Sequence, residues 1–64
     1  MDKYIQDIRN SGELIILNDG SKWAVSSFDA FHTRMWMRFD KVEVSNNTIT
    51  NKSRNNKTVS ARRT

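Results

Sequence analysis

The residue types that could support catalysis are few in this chain and fall within one short segment. Ser26, Ser27, Asp29 and His32 could in principle supply a nucleophile, a base and an orienting acid. A serine nucleophile needs an activating base that is itself held by a third group. Turns are rich in serine and aspartate for conformational reasons, and a histidine beside a capped turn usually makes local hydrogen bonds. We therefore expect no enzymatic activity and no catalytic residue.

Metal and cofactor chemistry is equally poorly supplied. The chain has 64 residues, no cysteine and one histidine. His32 and Asp29 together offer too few ligands for a zinc site. We expect no metal and no other cofactor, so a core of only a few side chains has to stabilise the fold by packing alone.

Basic side chains are concentrated in the last third of the chain. Residues 1–43 carry six Lys/Arg against seven Asp/Glu, whereas residues 44–64 carry five basic residues and no acid, which accounts for the net charge of +4. Small barrels bind single strands by combining basic groups with aromatic rings on which bases stack. The candidate basic face consists of Arg34, Arg38, Lys52, Arg54, Lys57, Arg62 and Arg63. Such residues also keep a small β protein soluble, so this charge has a structural explanation as well.

The segment 34–39 has two interpretations that lead to different functions. If it is a strand, Trp36 shares a face with Arg34 and Arg38 and forms an aromatic ring between two guanidiniums. We favour the alternative, in which Trp36 fills the core, because so small a core needs its large aromatic residues. The exposed residues would then form an adaptable apolar patch for a protein partner, made of Phe28, Phe31, Met35 and Met37.

The elements that must position these residues are short and punctuated by turns, as in a small barrel. Residues 13–25 predict a hairpin about Asp19-Gly20, where the glycine can take a positive φ. A two-residue turn places Ile16 opposite Trp23, whereas a type I turn with a glycine bulge places Ile15 there. Periodicity leaves both registers open.

Downstream segments complete the expected barrel. A second hairpin is predicted about Asn46-Asn47, which tolerates left-handed backbone, and it is followed by a polar basic loop at 51–57 and a strand at 58–61. Ser26 predicts a capped helical turn that covers one open end of the barrel. Residues 4–8 fit a first strand or one helical turn. The inward side chains of the later strands are expected to be Val42, Val44, Ile49, Val59 and Ala61.

The hairpin sequence Leu17-Asn18-Asp19-Gly20-Ser21-Lys22-Trp23-Ala24-Val25 resembles a Leu-x-Asp-Gly-Ser-x-Trp-x-Val motif in a widespread group of uncharacterised small bacterial proteins. The similarity covers residues 12–63, including Trp36 and the segments 40–44, 49–51 and 59–63. It implies an SH3-like barrel with a buried Trp36 and no assigned activity. It also implies that four residues share the core face, which is the arrangement of the bulged turn: Ile15, Leu17, Trp23 and Val25.

The chain departs from that group at Phe39, which stands where the group usually has glycine. Glycine adopts a positive φ more easily than phenylalanine does. The turn that precedes the strand 41–44 is therefore expected to differ.

Taken together, residues 1–64 are predicted to form one five- or six-stranded SH3-like barrel that acts as a non-catalytic interaction module. A protein partner is the leading expectation, with a phage-encoded inhibitor of host machinery as a special case, and single-stranded nucleic acid is the alternative. The polar, acidic start of the chain and the lack of a long apolar segment predict a cytoplasmic protein without membrane association.

Overall fold

In the computed structural model, which describes residues 3–64, the chain forms a closed barrel of six antiparallel strands. Met1 and Asp2, which belong to the predicted single domain of residues 1–64, lie outside the described residues. Strand neighbours run β1-β2-β3-β6-β5-β4, and β4 pairs back onto β1. The predicted small SH3-like barrel with a short helix between its hairpins is confirmed. Its elements are β1 (Lys3–Arg9), a 3₁₀ turn (Asn10–Gly12), β2 (Leu14–Leu17), β3 (Lys22–Val25), α1 (Ser27–Thr33), β4 (Lys41–Ser45), β5 (Thr48–Asn51) and β6 (Lys57–Arg63).

The β2–β3 hairpin adopts the bulged turn. Gly20 has φ 87°, and its N–H donates to the Leu17 carbonyl at 2.9 Å. Ile15 therefore lies opposite Trp23, and both side chains are buried. The two-residue turn, which would have placed Ile16 there, is not the one the chain adopts.

The first segment is a strand rather than a helical turn, and it contains a bulge. Ile5 lies opposite Leu17 while Asp7 lies opposite Ile16, so Gln6 is the extra residue in β1. Before the bulge, β1 pairs with β4 as well as β2. A bulge bends a strand and increases its twist, and here it lets one strand pair on both sides.

The core is formed by branched residues from all six strands together with two tryptophans. Trp36 is 6 % exposed although it belongs to no strand, so the predicted burial of this residue is confirmed. The alternative strand at 34–39 is not formed, because the Trp36 N–H donates to the Thr33 carbonyl at 2.9 Å and the chain turns after the helix. Val44 is partly buried, and the other expected inward residues of the later strands are buried: Val42, Ile49, Val59 and Ala61.

The buried indole N–H of Trp23 is satisfied by a chain of polar side chains within its own hairpin. It donates to the Ser21 hydroxyl at 2.9 Å, and that hydroxyl donates to the Asp19 carboxylate. Asp19 also accepts hydrogen bonds from the Ser21 N–H and from Lys3 of β1. The turn that sets the register therefore also satisfies the polar edge of the largest core residue.

The loop after β5 is less uniformly exposed than its polarity predicts. Asn51, expected as the first residue of an unpacked loop, is fully buried at the end of β5. Its amide donates to Asp40 at 3.0 Å and its carbonyl oxygen accepts from the Ser53 N–H at 2.9 Å. A buried asparagine with both ends satisfied carries little penalty, and here it anchors the loop to the start of β4.

Helix α1 packs tightly against the 3₁₀ turn. The Thr33 hydroxyl donates to the Gly12 carbonyl, and Gly12 has φ 94°. A Cβ at Gly12 would lie 2.5 Å from the Arg34 nitrogen and 2.8 Å from the Ala30 carbonyl oxygen. Only glycine fits this contact, which sets the position of the helix relative to β1 and β2.

Stability is expected to fall in acid through Asp19. The hydrogen bond from Lys3, followed by those from the Ser21 hydroxyl and N–H, holds the pKa of Asp19 well below its ordinary value of 3.8. A carboxyl with a lowered pKa in the folded state contributes stability that is complete above the unfolded value and is lost as the pH falls through the folded one. Urea midpoints should therefore decrease from about pH 5 downward. Asp19→Asn should lower the midpoint at pH 7 and give a shallower decrease, and an unchanged slope in this variant would refute the assignment.

Gly12→Ala is expected to destabilise the barrel far more than Gly20→Ala. Both positions have positive φ, which costs a non-glycine residue about 1–2 kcal/mol. Only Gly12 adds a steric clash, since nothing lies within 4 Å of a Cβ at Gly20. Urea unfolding should give a loss of about 3 kcal/mol or more at Gly12 and about 1 kcal/mol at Gly20. Equal losses would contradict the tight helix contact.

Candidate binding surface

Helix α1 presents one buried and one exposed side. The Ser26 hydroxyl accepts a hydrogen bond from the Phe28 N–H at 3.2 Å, so the predicted N-cap is confirmed. Ala30 and Thr33 face the barrel and are buried. Phe28 and Phe31, three residues apart, lie on one face of the helix, and that face is exposed to solvent. Met35, which is also exposed, follows the end of the helix at Thr33.

Exposed apolar side chains are strongly localised in this protein. Among residues 3–64, six large apolar side chains are exposed, and five of them fall within residues 28–39. We call Phe28, Phe31, Met35 and Met37 the apolar patch. Phe28 is 89 % exposed and Met35 67 % exposed, and Met37 lies in the turn that follows the helix. The four residues that were expected to form a protein-binding patch are thus all accessible.

The turn 37–40 is held by a single carboxylate. The Asp40 carboxylate accepts hydrogen bonds from the Met37 N–H at 3.0 Å, from the Asn51 amide at 3.0 Å and from Arg54 Nε at 2.9 Å. Burial tends to raise the pKa of Asp40, but these three donors together hold that pKa below its ordinary value. The turn is therefore fixed in place by a residue that remains ionised at neutral pH.

Phe39 occupies this turn with an unfavourable backbone. Its φ is 72°, the left-handed region that glycine adopts freely and that is a genuine outlier for a bulky residue. Its N–H donates to the Ile5 carbonyl at 2.8 Å, so the position is fixed by pairing with β1. The backbone at Phe39 thus takes the positive φ that glycine adopts easily. The ring of Phe39 is 78 % exposed.

A groove of about 550 Å³ lies beside the apolar patch, between the end of β1 and the turn after α1. We call it the arginine groove because three guanidinium groups line it. Four of the eight residues that have a positive φ among residues 3–64 also line it. The lining residues are Asp7, Ile8, Arg9, Asn10, Ser11, Gly12, Arg34, Trp36, Met37, Arg38 and Phe39.

The three arginines of the groove differ in how they are held. Arg34 stacks its guanidinium over the Phe31 ring, with 4.7 Å from Cζ to the ring centre. Arg38 donates from Nε to the carbonyl of Gln6, the bulge residue of β1, at 3.0 Å. Arg9 donates from Nε to Asp7 at 2.9 Å. The groove therefore joins the bulge, the helix end and the turn that carries Phe39.

The residues of the expected basic face fall into three separate groups. Arg34 and Arg38 line the groove. Lys52 and Arg54 pair with Glu43 and Asp40, and Lys57 lies beside them at the start of β6. Arg62 and Arg63 lie at the far end of β6, about 17 Å from Lys57 by strand rise. The three basic residues of β6 therefore do not form one cluster.

Three of the four residues considered for catalysis make structural contacts. Ser26 caps the helix, and the Asp29 carboxylate accepts from the Ser60 N–H at 3.0 Å, which ties α1 to β6. His32 meets the Phe31 ring edge-on at 5.7 Å. Within residues 3–64, no group of three His, Cys, Asp or Glu side chains could hold a metal ion, and no helix is long and apolar enough to span a membrane.

Seven residues that line the groove were not anticipated as site residues from the sequence, namely residues 7–12 and Phe39. Phe39 did carry a signal, since a bulky residue preceding the aspartate replaces the expected glycine, but its exposure could not be inferred. Arg9 carried none, because it reaches the groove only through the bend in β1 and the packing of the helix end.

Comparisons with protein-family models, curated proteins and solved structures gave no significant match. The binding surface is therefore defined by its geometry alone.

Phe39→Gly is expected to stabilise the protein. Removing the positive-φ strain gains about 1–2 kcal/mol, and the extra freedom of glycine in the unfolded chain returns about 0.5–1 kcal/mol. The net gain should be up to about 1 kcal/mol, and thermal unfolding should shift upward by a few degrees. Phe39→Ala is the matched control: it removes the ring but keeps the strain, so its melting temperature should stay close to that of the wild type. A lower melting temperature for Phe39→Gly would mean that the ring stabilises the fold.

Proposed function

We propose that this protein is a non-catalytic interaction module of the cytoplasm that docks on a protein partner through the apolar patch. The observation that carries the proposal is the concentration of exposed large apolar side chains in residues 28–39. Exposed apolar groups that are concentrated in one short segment lower solubility and contribute little to the fold, and apolar patches of this kind commonly mark contact surfaces. A small inhibitor or accessory protein that binds host machinery would be one form of this module.

The chemistry of the patch supports a protein partner. Methionine side chains are flexible and polarisable, so Met35 and Met37 can adapt to irregular apolar surfaces. The aromatic rings of Phe28 and Phe31 add rigid contact area, and aromatic residues and methionine are enriched in interfaces. Since the barrel is closed, a partner would engage side chains rather than add a strand to a free sheet edge.

Single-stranded nucleic acid remains the second candidate. Its support is the net charge of +4 together with two exposed rings, Phe31 and Phe39, each with a guanidinium within 6 Å of its centre. Bases stack on such rings beside basic groups. Trp36 is buried, so the alternative in which its ring stacks bases between Arg34 and Arg38 has no support, and we rank this function below protein docking.

Met35→Glu and Met37→Glu are each expected to abolish the complex with the partner. Burying a new carboxylate in an apolar contact is unfavourable, so the affinity should fall by roughly tenfold or more. The measurement is a pull-down from the source cell followed by size-exclusion chromatography, with thermal unfolding monitored to confirm that each variant is folded. Tyr4→Glu, which charges an exposed aromatic residue outside residues 28–39, should leave the complex intact.

Two results would count against this proposal. Normal complex formation by both methionine variants would exclude the patch as the interface. Tight binding of a labelled single-stranded oligonucleotide that weakens steeply with salt, and that neither variant alters, would favour nucleic acid instead.

A further inference from the structure

The arginine groove adjoins the apolar patch and carries an excess of positive charge. We propose that it is the recognition site for an acidic segment of the protein partner, with Arg9, Arg34 and Arg38 binding carboxylates and Phe39 packing on a neighbouring apolar side chain. This inference rests on the docking function proposed above and specifies the chemistry of the partner.

The charge balance of the groove supports an anionic ligand. Asp7 is the only acidic residue among its lining residues, against three arginines. The Asp7 carboxylate accepts hydrogen bonds from Arg9 Nε at 2.9 Å and from the Ile8 N–H at 2.8 Å. The hydrogen bond from Arg9 is the largest cause of the lowered pKa of Asp7, and the charge of Arg38 adds to it. Arg9 and Arg38 thus both interact with the Asp7 carboxylate. Because one acid cannot neutralise three arginines, the groove keeps a net positive charge.

The guanidinium groups also retain hydrogen-bond donors. The guanidinium of Arg34 lies over the Phe31 ring, and among residues 3–64 it makes no side-chain hydrogen bond or ion pair. A stacked guanidinium keeps its five in-plane N–H donors for a carboxylate, which it can bind with two parallel hydrogen bonds. Arg38 uses Nε for the Gln6 carbonyl, so its two terminal nitrogens remain for a ligand.

The conformation and exposure of Phe39 are the second observation that supports a ligand site in the groove. Its backbone is strained at φ 72°, and its ring is largely in water. Glycine would relieve the strain, and the exposed ring contributes little to the core. The positive φ and the exposed ring of Phe39 are both unfavourable in the free protein. A contact between the ring and a bound partner would offset this cost. Ser11, a second non-glycine residue with positive φ that is not asparagine, lines the same groove, and strained backbone of this kind clusters at ligand sites.

An acidic segment with an apolar side chain fits the groove better than a phosphate backbone does. The lining combines arginines with Ile8, Trp36 and Met37, so a carboxylate and an adjacent apolar group can be bound together. A strand of nucleic acid needs basic groups along a continuous track, whereas the other residues of the expected basic face lie in separate groups at 52–57 and 62–63.

A random peptide library displayed on phage and selected on the full chain tests the proposal without knowledge of the partner. We expect the selected peptides to contain Glu or Asp next to an aromatic or aliphatic residue. Replacing the acids of the best peptide by their amides should weaken its binding by about tenfold or more. Selection of neutral or basic peptides, or of no peptide at all, would overturn the acidic specificity.

Paired variants then locate the site of the selected peptide. Arg9→Gln with Arg34→Gln should reduce its affinity by about tenfold or more, whereas Arg62→Gln with Arg63→Gln removes the same charge elsewhere and should change it by less than about twofold. Phe39→Gly and Phe39→Ala should each reduce it by about tenfold, although the former is expected to be at least as stable as the wild type. Equal losses of affinity in the two double variants would mean that general electrostatic attraction binds the peptide, and this would overturn the assignment to the groove.

Failure of this inference can be distinguished from failure of the docking function. Neutral peptides whose binding is lost in Met35→Glu but kept in Arg9→Gln with Arg34→Gln would leave the apolar patch as the docking site and exclude the groove. Absence of peptide binding, together with salt-dependent oligonucleotide binding that requires Arg34, would contradict both.

Discussion

The double pairing of β1 is the constraint on which the rest of the structure depends. Around Ile5 the first strand bonds to β2 on one side, and to the start of β4 and the preceding turn on the other, with the Ile5 N–H donating to the Asp40 carbonyl at 3.0 Å. This closes the sheet of a 64-residue chain around one core. The bulge at Gln6 makes the double pairing possible, and Arg38 satisfies the carbonyl of that residue. The groove is formed at this bend, so the feature that closes the fold also creates the candidate site.

Polar side chains are also buried in the closed barrel, and each is satisfied by hydrogen bonds, some within one turn and some between segments distant in sequence. Ser21, Thr33 and Asn51 are buried, and each makes hydrogen bonds. Within residues 3–64, no buried side-chain nitrogen or oxygen lacks a partner. Ser21 links the indole of Trp23 to its turn, and Asn51 links the end of β5 to Asp40. In a core with so few side chains, these links restrict the chain to one register where apolar packing alone would allow slippage.

The parts of the fold that local chemistry determines were predictable from the sequence. Asp19-Gly20 and Asn46-Asn47 mark hairpins because their residue types suit left-handed backbone, and Ser26 marks a helix start because its hydroxyl can cap an N–H. Properties that depend on tertiary contacts were not predictable. The burial of Asn51 requires Asp40 to lie beside it, and the place of Arg9 in the groove requires the bend in β1. The hairpin register lay between these cases: alternation permitted two answers, and the resemblance favoured the bulged turn that the chain adopts.

The described ends of the chain lie at the opposite end of β1 from the groove. Lys3 contacts Asp19 in the first hairpin turn, and the Thr64 N–H donates to the Lys22 carbonyl at 2.9 Å. Arg9, at the groove, is about 20 Å away along the strand. Because both ends emerge near one hairpin, a tether, a fluorescent label or a neighbouring domain attached there would leave the groove open. The barrel is therefore suited to being displayed on a surface or carried within a longer polypeptide while its arginine-lined face stays available.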